Sequence, residues 1–134
     1  MIIHIKIAGY LMLVLACIHV VFPKYFNWNK ELKHLSLINN QMMRTHTFFI
    51  ALTVGLMGLL CISSALELTT TSLGKKITLG LGMFWMIRLL FQVFVYSTKL
   101  WKGKTFETYV HILFVLLWIY FSGVFLLSYY FNKF

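Results

Sequence analysis

Four continuous apolar runs, each near the length that crosses a lipid bilayer, constrain this chain more than any other feature. They fall at residues 7–22, 43–66, 77–96 and 109–130. About 20 helical residues span a hydrocarbon core ~30 Å thick. A backbone deprived of water must pair its own N–H and C=O groups, which leaves helices and closed barrels. The runs are uninterrupted rather than alternating, so a barrel is excluded. The first run is short, and it reaches spanning length by extending back through Lys6, whose amine snorkels outward. The expected fold is therefore all-α: a single integral membrane domain covering residues 1–134, built as a four-transmembrane-helix bundle.

Composition agrees. Of 134 residues, 60% are hydrophobic and 11% charged, against about 25% charged in a soluble domain. The net charge of +9 raises nucleic acid as a partner. The lysines, however, sit at the ends of the apolar runs, where they meet anionic headgroups. The lipid bilayer is the expected partner, and nucleic acid is not. Cys17 and Cys61 belong to no CxxC motif and fall near opposite faces of the bilayer, which argues against a disulfide within the chain. Val14-Leu15-Ala16-Cys17 is lipobox-like. The apolar run continues to Phe22, so the segment is read as a first transmembrane helix rather than a cleaved signal.

The connections carry the remaining pattern. Pro23 is expected to end the first helix. Beyond it, Trp28, Leu32, Leu35, Ile38 and Met42 recur at helical spacing with Lys30, Glu31, Lys33 and His34 between them. This predicts an amphipathic interfacial helix over about residues 28–39, with Asn27 as its cap. Glu67 to Lys76 reads as a short polar turn. Ser97 to Thr108 reads as a loop bent at Gly103. Loops one and three hold Lys24, Lys30, Lys33, Arg44, Lys99, Lys102 and Lys104, while the opposite side holds Lys6, Lys75, Lys76 and Lys133. That bias places loops one and three in the cytoplasm and both termini outside.

Polar residues inside the runs mark the candidate site. His19, His46 and His111 each lie roughly 3–5 Å inside a helix end, and all three ends face loops one and three. Arg88 lies about 12 Å and Gln92 about 6 Å inside the third helix from the same side. An arginine at a helix centre costs roughly 2.5–3.5 kcal/mol to insert, so Arg88 needs a partner. Trp85, Arg88, Gln92 and Tyr96 share one stripe of the third helix. Carboxylates are scarce, being only Glu31, Glu67 and Glu107. Glu107 is at the correct end and four residues before His111. The other partner for Arg88 is a bound anion: a carboxylate, a propionate or a headgroup.

Imidazoles from three helices suit a transition metal, and two suit axial haem ligation in a helix bundle. The expected cofactor-binding set is His19, His46, Arg88, Gln92 and His111, with the three histidines as metal ligands. Trp28, Asn40, Gln41, Arg44 and Glu107 form an expected lid or outer layer over them. Each feature also has a plainer reading: interfacial histidines, an arginine clamped by Gln92, and a belt of aromatics and amides at the membrane surface.

The strings FPKYFNW, NNQMMRTH and FWMIRLLFQ resemble an uncharacterised family of small bacterial four-helix membrane proteins, over most of the chain. The resemblance implies a bacterial inner-membrane location and carries no assigned activity. Three functions follow as expectations. One is a polytopic inner-membrane protein that binds haem, a transition metal or an anionic ligand in the His/Arg/Gln cluster, with a redox accessory role. Another is a non-catalytic subunit of a larger membrane complex, with Ala51 and Gly55 permitting close helix approach. The last is a small homo-oligomeric carrier or channel. A hydrolase or transferase is disfavoured, because no serine–histidine–acid set lies at membrane depth and only Glu107 stands near a histidine as a general base.

Overall fold

The computed structural model describes residues 1–96 and 103–134. Lys99, Trp101 and Lys102 of the third loop lie outside the described residues. Among those described, the chain is all helix, and four helices are long and apolar enough to cross a membrane: Ile2–Tyr25, Leu37–Ser63, Ser72–Val95 and Thr105–Phe131. This is the helix complement of a four-helix membrane protein, and the chain is a multi-pass one in contact with lipid. It divides into two compact units, one of Lys6–Ser63 and one of Met1–Ile5 with Ser64–Phe134.

The first unit holds α1 (Ile2–Tyr25, less its first residues), α2 (Trp28–Glu31), a 3-10 turn (Leu32–His34) and α3 (Leu37–Ser63). Helix α1 runs two residues past Pro23 instead of ending there. Proline has no N–H, so the His19 carbonyl loses its helical donor, but the turn closes afterwards through Phe26 N–H to the Phe22 carbonyl at 2.9 Å. The amphipathic segment is not one helix. It is two short turns, an extended Leu35, and then the start of α3 at Leu37. Ser36 breaks it: its hydroxyl accepts from Asn39 N–H at 3.4 Å, an N-cap contact that starts α3 six residues before the apolar run. Asn27 precedes α2 in the left-handed region (φ 54°), with no side-chain cap bond; its carbonyl accepts from Lys30 and Glu31 instead.

Helices α1 and α3 cross closely at Gly9 and Gly58. A Cβ on Gly9 would stand 2.8 Å from the Gly58 carbonyl oxygen, and one on Gly58 would stand 2.7 Å from that of Gly9. Two opposed glycines permit that backbone approach, which dispersion contacts reward in lipid. Ala51, Val54, Gly58 and Cys61 form the buried face of α3.

The second unit is built on α5 (Ser72–Leu90) packed against α6 (Thr105–Phe131), with α4 (Ala65–Thr70) leading in. The threonine-rich stretch expected as a turn is therefore mostly helix. Thr69, Thr70 and Thr71 fold their hydroxyls back onto carbonyls four residues earlier, which removes their polarity from lipid. Thr71 then caps α5 by accepting from Gly74 N–H at 2.9 Å. Asn132 is buried and ties the end of α6 to this corner by donating to the Thr71 carbonyl at 3.0 Å. Along the α5–α6 seam, Trp85 stacks on Trp118 with centroids 5.1 Å apart and planes at 13°. Phe121 and Phe125 fill the layers below and are fully buried.

Candidate functional site

Helix α5 does not end as an α-helix. From Phe91 to Val95 it widens into a π turn, closed by Tyr96 N–H to the Phe91 carbonyl at 3.3 Å. Such turns concentrate at functional sites, because the extra residue re-aims a side chain. Here the residue inside the turn that is buried is Gln92.

Gln92 is the hub of a polar chain between α5 and α6. Its Oε1 accepts from Arg88 Nη1 at 3.4 Å and from Trp118 Nε1 at 3.5 Å. Both are obligate donors, which fixes the amide orientation and aims Nε2 at His111. Gln92 Nε2 donates to His111 Nδ1 at 2.9 Å. An Nδ1 that accepts leaves the imidazole proton on Nε2, so His111 is the neutral Nε2–H tautomer.

Arg88 is half-buried. Its guanidinium lies 5.1 Å from the Trp118 ring and 5.4 Å from the Tyr96 ring, and Nη2 reaches Tyr96 Oη at 3.5 Å. The ring quadrupoles attract the cation electrostatically. Among the described residues its partners are Gln92, Tyr96 and these two ring faces. No carboxylate is among them. Glu107, the expected counter-charge, is exposed in the first turn of α6. Trp85, one turn before Arg88, is 2% exposed, and its Nε1–H has no hydrogen-bond partner among the described residues.

The structure thus brings Arg88, Gln92 and His111 together, with Trp118, Tyr96 and Trp85 added. Tyr96 and Trp85 were legible on the α5 stripe. Trp118 was not singled out, although it follows His111 by seven residues and Phe114 by four. That spacing places all three on one helix face, and Phe114 stacks on Trp118 at 5.6 Å.

The other expected site residues lie in the first unit. His19 is half-buried, and its Nδ1 donates to the Leu15 carbonyl at 2.9 Å, an acceptor that fixes a proton on Nδ1. His46 is exposed on α3. Arg44 donates through Nε to Asn40 Oδ1 at 2.9 Å and through Nη2 to Asn29 Oδ1 at 3.1 Å. Asn40 in turn donates to the Leu32 carbonyl at 3.1 Å. This network ties the short turns to the first turns of α3, over the buried Trp28. Gln41 is exposed beside it. Among the described residues, no three His, Cys, Asp or Glu side chains stand together as a metal-binding group. Both cysteines are free.

Comparison with known proteins found no matching family model, no matching curated protein and no matching solved structure.

Proposed function

We propose that this multi-pass membrane protein binds the anionic group of a ligand at the Arg88–Gln92–His111 cluster, in a bacterial inner membrane with loops one and three cytoplasmic. The observation that carries the reading is Arg88 itself. It is a cation inside the α5 span, held among the described residues by a neutral amide, a phenol and two ring faces. A charge kept in low dielectric without a counter-charge is costly. A carboxylate or phosphate placed on the guanidinium fork offsets that cost through charge-assisted, bidentate bonds. The location rests on the Lys/Arg distribution and on the family resemblance.

Native mass spectrometry of protein released from mild detergent tests this. Wild type is expected to retain an acidic species that Arg88→Gln loses. A bound species retained equally by both overturns the reading. Wild type with nothing bound, and with no thermal stabilisation by any carboxylate or phosphate compound, also overturns it and favours the role of non-catalytic complex subunit.

A second reading rests on His19. An Nδ1–H held by a backbone carbonyl, with the lone pair on Nε2, is the tautomer of a metal- or haem-ligating histidine. His111 has the reverse tautomer and would have to release Gln92 to ligate through Nε2. A haem absorption band lost in His19→Ala and kept in His111→Ala is the expected pattern for this reading. Purified protein without haem or stoichiometric metal removes its support.

A further inference from the structure

We propose that the ligand of the Arg88 site is an acidic amphiphile: a carboxylate or phosphate headgroup on an apolar tail, entering sideways from the bilayer. This rests on the anionic-ligand reading and adds the tail and the route.

The headgroup follows from a count of donors. The guanidinium offers five N–H groups, and among the described residues the acceptors it meets are Gln92 Oε1 at 3.4 Å and Tyr96 Oη at 3.5 Å. Both distances exceed the usual 2.7–3.2 Å for such bonds. Gln92 Oε1 is also shared with Trp118 Nε1 at 3.5 Å, while its own amide bond to His111 is short, at 2.9 Å. The buried Trp85 Nε1–H adds a further donor with no acceptor among the described residues. Among the described residues, the N–H groups of the guanidinium outnumber the acceptors that meet them, and the bonds that exist are stretched. A ligand that brings acceptor oxygens and no donors completes this arrangement.

The tail follows from depth and surroundings. Arg88 lies seven residues before Val95, the end of the α5 span, which is roughly 10 Å along a helix. Phe84, Ile87 and Phe91 precede and follow it by four, one and three residues, so they border it on the helix surface. They are 44%, 50% and 50% exposed. A small hydrated anion reaching Arg88 must shed water across that apolar border. A headgroup tethered to a tail arrives from within the lipid phase, and its tail covers the exposed Phe84, Ile87 and Phe91 surface.

The test uses the full chain in nanodiscs of uncharged phosphatidylcholine, read by intrinsic tryptophan fluorescence and thermal stability. The probes are oleate and oleyl phosphate, acetate and inorganic phosphate, and oleyl alcohol. The expected result is a saturable response to oleate or oleyl phosphate, at least tenfold weaker in Arg88→Gln and unchanged in Arg44→Gln. Acetate, phosphate and oleyl alcohol are expected to give no saturable response at matched concentration. Acetate or phosphate acting as strongly as the tailed acids, and through Arg88, overturns the amphiphile and leaves the anion site standing. Tailed acids and oleyl alcohol acting alike and independently of Arg88 overturn both. No saturable response to any probe also overturns both. Should Arg88→Gln not fold, the contrast between oleate and oleyl alcohol on wild type still decides.

Discussion

The molecule holds two arginines, each on a long helix, and neither has a carboxylate among its partners within the described residues. Arg44 sits near the start of α3 and donates to two asparagine oxygens at 2.9 and 3.1 Å. Arg88 sits near the end of α5 and reaches an amide and a phenol at 3.4 and 3.5 Å, with its charge spread over two rings. The same side chain is well coordinated in one unit and under-coordinated in the other. Good coordination by neutral oxygens makes Arg44 a fastener for the α2 turns. Poor coordination at membrane depth leaves donors of Arg88 unused, and under the proposed function an anionic group takes them up. What separates the two is bond geometry, since residue type is shared and neither has a counter-ion among the described residues.

The largest expected effect tests the hub. Gln92→Leu removes the acceptor of Arg88 and Trp118 and the donor to His111 together. Each buried group left unpaired costs about 1–3 kcal/mol, so thermal unfolding in detergent should fall by about 3 kcal/mol or more. A loss under 1 kcal/mol would mean that the polar chain contributes little. Next, Arg44→Ala removes two well-formed bonds, at about 1 kcal/mol each, and should open the short turns to proteolysis while leaving ligand binding intact. Loss of ligand binding in that variant would break the comparison.

Smaller effects sharpen it. Tyr96→Phe deletes only a long bond and keeps the ring face, so stability should change by less than about 0.5 kcal/mol. The smallest expected change is the most telling. Arg88→Leu in the ligand-free protein trades an uncompensated cation for an apolar side chain, and such exchanges are often neutral or stabilising. The melting temperature should hold or rise, while stabilisation by an acidic amphiphile vanishes. A drop of several kcal/mol would make Arg88 a fastener like Arg44.

The number and order of the long helices were legible in the sequence, because an unbroken apolar run admits no other structure in lipid. Their ends were not. Pro23, Lys24 and Tyr25 extend α1, and Leu37 to Met42 extend α3, because a helix can run on into water wherever its polar residues find solvent or a cap such as Ser36. The threonine-rich second connection misled for a related reason: hydroxyls that bond back to carbonyls hide their polarity. In the site, the spacing of Trp85, Arg88 and Gln92 disclosed one face of α5. The π turn left no trace in composition, since it is a choice among backbone partners. Trp118 was hidden by context, for a tryptophan in an apolar helix usually signals packing alone. Asn40 was legible only as part of a lid and Asn29 carried no signal, whereas the structure shows both accepting from the Arg44 guanidinium.

The π turn has a consequence for which length changes this chain tolerates. A turn from Phe91 to Val95 accommodates one residue more than an α-helical path over the same height. Deleting Val93, Phe94 or Val95 lets the helix relax to regular winding and leaves Tyr96 on the Arg88 face, because the turn already holds the surplus residue. An inserted residue has no such slack, and Tyr96 would turn about 100° away from the guanidinium with no side chain altered. At this place the register of the chain, more than the identity of its residues, holds the site together.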